Sequence, residues 1–499
     1  MKRFFSVVLC VLLVIGCCPL TVFAADACGC GNAPVIFIDG INACDLIRDA
    51  GTQNQKVAFP FTADDVMEVV DNNGDAIWDL LDGNFSAGNE RAIVDAIVAM
   101  LEDVRMNPDG TSLYDVSADW AYPTRDGHKN GERFRFCFDW RLDPFEIAAQ
   151  LHDFVEYVKD MTGHDTVHMV GFSMGTVILQ TYFTLYGYAG VESVVWYSGA
   201  YRGLEMVGQL FTNRYYVDAG ALAAYADEAL PTDESVTRLL VSVLDGLTGI
   251  GLTKGALRFT NRILQRMIAS GAMDEILLST FGSMPGIWSF IDDTYYEEAK
   301  ENLFAGKETQ YAALIEKIDR YHYNVQMHAD EIMENARAAA GKIGIISKYG
   351  RHMVPVTECS DMQADGVIDV YHTSGFATAA KIGETLPADA GNKYLSADRI
   401  IDASTARYPD QTWFVKNAEH SSTPEYIQRL IRWIQFSDHQ VTVWENPEFP
   451  QFASYDPVTD TTAPLTGPTA GKTVFQRLRE FFRYLIESLK ILFNKRFGR

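Results

Sequence analysis

The feature that most constrains this chain of 499 residues is a five-residue turn sequence, Gly171-Phe-Ser-Met-Gly175. An apolar run from Val167 to Val170 precedes it, and a helical pattern over residues 177–182 follows it. A serine in such a sharp strand-to-helix turn has its hydroxyl exposed at the top of a sheet. The two glycines remove side chains that would collide in that turn. The pattern therefore predicts Ser173 as a nucleophile, against the alternative of a serine in an ordinary glycine turn.

Short apolar runs that end in turns recur along the chain, as is typical of buried strands. They occupy residues 34–39, 134–138, 166–171, 194–197, 343–346 and 412–415. Helical patterns lie between them, for example from Asp143 to Thr162, where the apolar residues fall on one face. Strands that alternate with helices indicate a mostly parallel sheet covered on both faces. With the serine turn, this predicts an α/β fold of the α/β-hydrolase type over residues 25–444.

The regular alternation of strands and helices breaks between residues 198 and 342. These residues separate two consecutive sheet strands, which is far longer than an ordinary connection. Apolar residues recur at helical spacing in 236–247 and 256–268, and glycine and proline interrupt the pattern at 249–251 and 283–286. We interpret the segment as a large helical cap inserted over the carboxyl edge of the sheet. A separate helical domain unrelated to the serine is the alternative.

A serine nucleophile needs a base, and the base needs an acid to orient it. In this fold the three follow in the order serine, acid, histidine. His420 comes a few residues after the last predicted strand, which places it at the carboxyl edge beside Ser173. We therefore predict His420 as the base, and we interpret the earlier His352 and His372 as polar loop residues.

Two aspartates compete for the role of the acid. Asp365 and Asp398 share one arrangement, an aspartate three residues before an isoleucine. Asp365 follows the penultimate strand more closely, whereas Asp398 lies nearer His420 in the chain. We favour Asp365 and keep Asp398 as the alternative, the other one being a turn aspartate.

The oxyanion hole of this fold uses two backbone amides. One belongs to the residue after the nucleophile, here Met174, and the other to the loop after an early buried strand. That loop is Asp39-Gly-Ile-Asn42, and its position makes the amide of Ile41 the candidate.

The first 24 residues have the layout of a secretory signal peptide. Lys2 and Arg3 precede an apolar run that is too short to span a bilayer, and Val22-Phe-Ala24 offers a cleavage site. A lipobox ending at Cys17 is the alternative. We expect an exported protein. Attachment to the outer cell surface, through a lipid or through the C-terminal tail, is a further option.

Five cysteines follow residue 24. Because the number is odd and the chain is long enough to fold without disulfide bonds, they do not indicate a disulfide framework. Cys28 or Cys30 could pair with Cys44.

Five acidic or amide side chains between Asp71 and Asp82 approach a calcium-loop spacing, but Ala76 stands where that loop needs glycine, so a solvated helix start is favoured. No metal and no cofactor is expected.

The C-terminal segment is basic, although the chain as a whole is acidic. Residues 472–499 carry eight Lys or Arg against two Glu and form a basic amphipathic pattern, whereas the whole chain has a net charge of −24. Such a helix lies in a membrane interface or docks on the acidic body. Nucleic acid is not an expected partner of an acidic body. Residues 445–471 are rich in Thr, Pro, Gly and Asp, which predicts a linker.

Several short blocks resemble the lecithin:cholesterol acyltransferase and lysosomal phospholipase A2 family. Phe138-Asp-Trp-Arg141 is similar to that family's aromatic-Asp-Trp-Arg segment, residues 167–175 to its serine turn, and Asp365-Gly-Val-Ile368 to its acid loop. Ala364 and Asp39 depart from the family pattern, and the cap is not recognisable. The resemblance implies hydrolysis or transfer of acyl esters on lipids. A soluble carboxylesterase or O-acyltransferase, and a binding module on an inactive hydrolase fold, are the alternatives.

Overall fold

The computed structural model describes residues 32–61, 86–124, 131–218, 220–222, 224–225, 252–389 and 391–467. The predicted signal peptide and lipobox, Cys28 and Cys30, the acidic cluster at 71–82 and the basic segment 472–499 lie outside these residues. Cys44, Cys137 and Cys359 are thiols. Within the described residues, no helix combines the length and the apolar character needed to cross a bilayer.

A sheet of eight strands forms the centre of the molecule, in the order β13-β12-β11-β8-β7-β6-β1-β5. The strands are β1 (Val35–Ile38), β5 (Arg133–Phe136), β6 (Val167–Phe172), β7 (Val191–Tyr197), β8 (Ile343–Tyr349), β11 (Thr412–Lys416), β12 (Phe452–Asp456) and β13 (Thr461–Pro464). All neighbours are parallel except β12 and β13. The prediction of an α/β fold with a mostly parallel sheet is confirmed, and all six predicted strands are present.

Two smaller antiparallel sheets were not predicted. Strands β2 (Leu46–Arg48), β3 (Lys56–Phe59) and β4 (Val116–Ala118) form one, and β9 (Thr378–Ala379) with β10 (Ile401–Asp402) forms the other. Their strands have two to four residues, too few to show an alternating apolar pattern in the sequence.

The helices follow the strands in chain order. They are α1 (Ala87–Met100), α2 (Pro144–Thr162), α3 (Gly175–Tyr186), α4 (Glu205–Phe211), α5 (Leu252–Ser270), α6 (Ala272–Ser279), α7 (Pro285–Trp288), α8 (Asp293–Phe304), α9 (Ala312–Asn324), α10 (Ala329–Ala340), α11 (Val370–Thr373) and α12 (Glu425–Phe436). Asp143 caps α2 by accepting from the amide of Phe145, and Gly163 ends it in the left-handed conformation.

Helices cover both faces of the sheet, so its central strands are buried on each side. Ile36 and Ile38 point to one face, where they share a hydrophobic cluster with side chains of α2, α3 and α10. Val35 and Phe37 point to the other face, where they pack with side chains of α12. Burial on both sides explains why these strands are near-continuous apolar runs.

The long interval between β7 and β8 is helical in its described residues, as predicted, and contains α4 to α10. Its side chains Trp288, Leu303 and Ile318 belong to the same hydrophobic cluster as Ile36 of the sheet. The insertion therefore shares the core of the sheet, which argues against a separate helical domain.

We predicted a linker over residues 445–471 and the end of the domain at residue 444. Both predictions are wrong for residues 445–467, the part of this segment that the structure describes. Strand β12 pairs in parallel with β11, and β13 pairs with β12 to form the edge of the sheet. An edge strand has one side open to solvent, so it needs no apolar run. Three of the four residues of β13 are exposed, and that polar composition resembled a linker.

Candidate functional site

The serine turn has the sharp geometry that its glycines suggested. Ser173 stands between β6 and α3 with a positive φ of 53°, in the left-handed region. Its amide donates to the Tyr197 carbonyl oxygen at 3.1 Å, and its own carbonyl oxygen accepts from the amides of Thr176 and Ala200. The surrounding backbone therefore holds a conformation that serine seldom adopts.

Two glycines let the backbone close around the serine. A Cβ added to Gly175 would collide with the Ile38 carbonyl oxygen, at the end of β1. A Cβ added to Gly40 would lie 2.8 Å from the Cβ of Ser173. The loop after β1 can approach the serine this closely only because both positions lack a side chain.

His420 links Ser173 to Asp365. Its Nε2 lies 2.9 Å from the Ser173 Oγ, and its Nδ1 lies 2.7 Å from Asp365 Oδ2. The His420 amide also donates to the Asp365 carbonyl oxygen at 2.8 Å, so the histidine is held to the aspartate by main chain and side chain. The ring stacks on Phe172, the residue before the serine, with centroids 5.0 Å apart.

These contacts determine where the imidazole proton resides. The Asp365 carboxylate can only accept, so Nδ1 carries the hydrogen and Nε2 of the neutral ring presents its lone pair to the serine hydroxyl. That is the tautomer that a general base for Ser173 requires.

Asp365 is fully buried and remains an anion. Burial alone raises the pKa of its carboxyl, but His420, the charge of Lys348 and the Ile368 amide outweigh it and hold the pKa below its ordinary value. The amides of Val367 and Ile368 donate to Oδ1 at 3.1 and 2.9 Å, leaving Oδ2 for the histidine. The short turn after Asp365 thus fixes the direction in which the carboxylate points.

Asp398, the alternative acid, makes different contacts. It is buried, and its Oδ2 accepts from Lys416 Nζ at 2.8 Å while Oδ1 accepts from Ser396 Oγ at 2.7 Å. Lys416 ends β11, so Asp398 fastens its own loop to the sheet. Of the two candidates, the structure brings only Asp365 to His420.

The loop of the second oxyanion candidate, Ile41, is fastened through Asp39. The buried Asp39 carboxylate accepts from Arg135 Nε at 2.9 Å, and its amide donates to the Phe136 carbonyl oxygen, both on β5. Burial raises the pKa of Asp39 despite the nearby Arg135. Asp39 departs from the family pattern noted above, and here it ties the loop to the edge of the sheet. The oxyanion role of Ile41 and Met174 stays a prediction.

The helical insertion reaches the serine turn directly. The Gly286 amide donates to the Arg141 carbonyl oxygen at 3.1 Å, and a Cβ on Gly286 would lie 2.9 Å from the Met174 side chain. Arg141 and Met174 follow the carboxyl ends of β5 and β6. The insertion therefore covers the carboxyl edge of the sheet beside Ser173, which is 7% exposed.

His372, predicted as a polar loop residue, is instead buried in α11. Its Nδ1 lies 2.8 Å from both carboxylate oxygens of Asp369, and its Nε2 lies 3.4 Å from Asp292 Oδ2 on the insertion. The interpretation failed because hydrophilic residues near a turn give no sign of a buried ion network.

Lys348, which contacts the His420 loop from behind the site, is a residue that the sequence analysis missed. It lies in β8 with no exposed surface and contacts the loop that carries His420. A lysine inside the apolar strand Ile343-Gly-Ile-Ile-Ser-Lys-Tyr349 was the available signal, because a buried lysine needs specific partners. In the described ranges, no group of three or more His, Cys, Asp or Glu side chains could hold a metal ion.

No family model and no curated protein matches this chain. Among solved structures, it is similar to the crystal structure of the Tle4-Tli4 complex, with 15% identity over 36% of this chain and a TM-score of 0.20. The chain spans 48%, about half, of the chain it matches there. At that TM-score the likeness bears on neither fold nor function, so the fold assignment rests on the strand order and connections themselves.

Proposed function

We propose that the chain is a serine ester hydrolase in which Ser173, His420 and Asp365 form the catalytic triad. The observation that supports this most is the continuous hydrogen-bonded path from the Asp365 carboxylate through both ring nitrogens of His420 to the Ser173 hydroxyl. Three residues from distant parts of the chain meet at the carboxyl edge of the sheet, in the order serine, acid, histidine that this fold uses.

The reaction proceeds through a covalent acyl-enzyme. Ser173 Oγ attacks the ester carbonyl carbon while His420 Nε2 takes the hydroxyl proton, and the carbonyl electron pair moves onto oxygen. The amides of Met174 and Ile41 stabilise that oxyanion. Collapse of the intermediate expels the alcohol, which receives the proton from His420. Water then attacks the acyl-enzyme with His420 again as base, and the acid and free Ser173 are released.

The substrate we propose is the acyl ester of a lipid, as in the lecithin:cholesterol acyltransferase and lysosomal phospholipase A2 family that the short blocks resemble. Phe138-Asp-Trp-Arg141 lies beneath the insertion, where the Arg141 carbonyl oxygen accepts from Gly286. A helical insertion over the serine and a basic amphipathic segment at 472–499 both suit a substrate presented at an interface. No cofactor enters this chemistry.

The test of the triad is covalent labelling. A fluorophosphonate probe should label the wild-type chain and not the Ser173→Ala variant, because only an activated serine forms the adduct. Ser198→Ala is the matched control: Ser198 is another buried serine with positive φ at the end of a neighbouring strand, β7. No labelling of the wild type would leave a binding module on an inactive fold, whereas labelling that survives in Ser173→Ala would show that the reactive residue is not Ser173.

The test of the substrate class compares two assays on one preparation. Long-chain phospholipid vesicles should be hydrolysed faster than short soluble esters at equal ester concentration. Turnover of the soluble esters alone would contradict the lipid substrate and favour a carboxylesterase, and acyl transfer to an added alcohol in preference to water would favour an O-acyltransferase.

We also propose that the protein is exported and that residues 472–499 contact a membrane surface. Their deletion should weaken binding to anionic vesicles in a sedimentation assay and leave turnover of a soluble ester unchanged. Equal vesicle binding with and without these residues would contradict the anchoring role.

A further inference from the structure

The ammonium of Lys348 lies behind the catalytic site rather than in it. Its Nζ donates to three main-chain carbonyl oxygens, those of Glu419, His420 and Ser422, at 2.9, 2.7 and 2.8 Å. All three belong to the loop that carries His420. An ammonium has three hydrogens to donate, and these three acceptors fill that capacity.

The loop that Lys348 contacts has little regular structure of its own. It runs from the end of β11 at Lys416 to the start of α12 at Glu425, and it begins with Asn417 at a positive φ of 65°. Buried carbonyl oxygens without a partner are costly. Lys348 donates to three of the carbonyl oxygens of this loop at one point, beside the Ser422 amide on Glu419 and the Tyr197 hydroxyl on Ser422, so it helps to set which way the peptide groups around His420 face.

Aromatic rings enclose the same ammonium. It lies 4.5 Å from the centroid of the Tyr197 ring and 5.6 Å from that of Phe172. Phe172 stacks on the His420 ring, and the Tyr197 hydroxyl donates to the Ser422 carbonyl oxygen that Lys348 also contacts, at 2.9 Å. A cation over ring faces is stabilised when it is desolvated. Lys348 thus joins the strand before the serine, the neighbouring strand β7 and the histidine loop.

Resting on the proposed function, we infer that Lys348 is a positioning residue that holds the His420 loop so that Nε2 faces the Ser173 hydroxyl. Lys348 touches no reacting atom. Its contribution to catalysis is the orientation of the base, where an error of about 1 Å costs on the order of a hundredfold in rate. Its positive charge also favours the anionic form of Asp365.

The test is the Lys348→Met variant, which keeps an unbranched side chain and removes the ammonium. We expect kcat on a soluble ester to fall about 100-fold with KM nearly unchanged, because substrate contacts are untouched. In proton NMR, the downfield signal of the His420 Nδ1 hydrogen should broaden or move. A kcat within threefold of the wild type, with that signal in place, would overturn the inference.

Lys342→Met is the matched control. Lys342 lies next to the opposite end of the same strand, and its Nζ likewise donates to two main-chain carbonyl oxygens, those of Gln435 and Ser437. The exchange therefore removes a comparable structural contact away from Ser173. Equal losses of kcat in both variants would show that Lys348 supports only the fold, which overturns the inference.

Tyr197→Phe keeps the test decisive if Lys348→Met does not fold. It removes a single oxygen atom and one of the bonds to Ser422, so the shape of the core is retained. We expect kcat to fall about fivefold at constant KM, and an unchanged kcat would count against the positioning role of this contact network.

Labelling of the wild type by a fluorophosphonate separates the two proposals. Its absence defeats the proposed function, whereas its presence with fully active Lys348→Met defeats only this inference.

Discussion

Two histidine–aspartate pairs, whose buried aspartates Asp365 and Asp369 are four residues apart in the chain, have different roles. His420 with Asp365 and His372 with Asp369 both have an Nδ1 within 2.8 Å of a carboxylate oxygen. The pairs differ at the other nitrogen. Nε2 of His420 faces the Ser173 hydroxyl, whereas Nε2 of His372 faces a second carboxylate, that of Asp292.

The second partner decides what each histidine can do. Burial alone would lower the pKa of His372, but Asp369 and Asp292 outweigh it and raise the pKa to about 10. His372 therefore stays a cation at neutral pH and has no lone pair with which to accept a proton. Asp369 also accepts from the Glu205 amide, so the pair ties the insertion to α11. A histidine–aspartate pair by itself therefore does not identify a catalytic base.

The largest expected effect comes from exchanging the two histidines in turn. His420→Gln should lower kcat by about 10⁵-fold or more, as removal of a triad base does. His372→Gln should keep kcat within about tenfold, because it touches neither the serine nor its base. Steady-state hydrolysis of a soluble ester measures both, with circular dichroism to show that each variant is folded. Comparable losses in the two folded variants would show that the two histidines do not differ in role.

Exchange of the two aspartates should likewise lower kcat at one pair and spare it at the other, with a smaller loss of kcat than for His420→Gln. Asp365→Asn should lower kcat about 10⁴-fold, because an amide in that place favours the wrong tautomer of His420. Asp369→Asn should instead lower the free energy of unfolding by about 3 kcal/mol, since it leaves a buried cation with a weaker partner. Urea unfolding and ester turnover, measured on both variants, test this. A stable Asp369→Asn chain without activity would contradict it.

Asp398 tests whether burial of an aspartate near the site is enough to affect activity. Asp398→Asn removes the charge that pairs with Lys416 and should cost about 3 kcal/mol of unfolding free energy, with kcat unchanged. Chemical denaturation combined with ester turnover below the transition gives the answer. Loss of activity in the folded variant would show that Asp398 acts on the site.

The smallest expected effect is a pH dependence of stability. The pKa of His372 is raised in the folded chain from 6.5 to about 10, so its protonation stabilises the fold fully below pH 6.5. That contribution is lost as the pH rises toward 10. Relative to His372→Gln, the wild type should lose about 1 kcal/mol of unfolding free energy per pH unit between pH 7 and 9. Parallel slopes for the two proteins would show that His372 is neutral in the folded state.

Local chemistry made part of this molecule predictable. The serine turn, six strands and the place of His420 follow from glycines, apolar runs and chain order, which are short-range signals. Asp365 and Asp398 share the same local pattern, and what separates them is Lys416, eighteen residues beyond Asp398 in the chain. Lys348 and the last two strands of the sheet, β12 and β13, were missed for the same reason, because their roles depend on what packs beside them rather than on their neighbours in sequence.

The positive φ of Ser173 has a consequence for how this chain would respond to selection. Holding a non-glycine residue in the left-handed region costs on the order of 1–2 kcal/mol, whereas glycine takes φ of 53° without that penalty. A library sorted only for heat tolerance should therefore enrich glycine at position 173 and discard the hydroxyl. Selection for thermal stability favours glycine at position 173, and selection for turnover favours serine. A serine that persists there through many generations is therefore a sign of selection for catalytic activity.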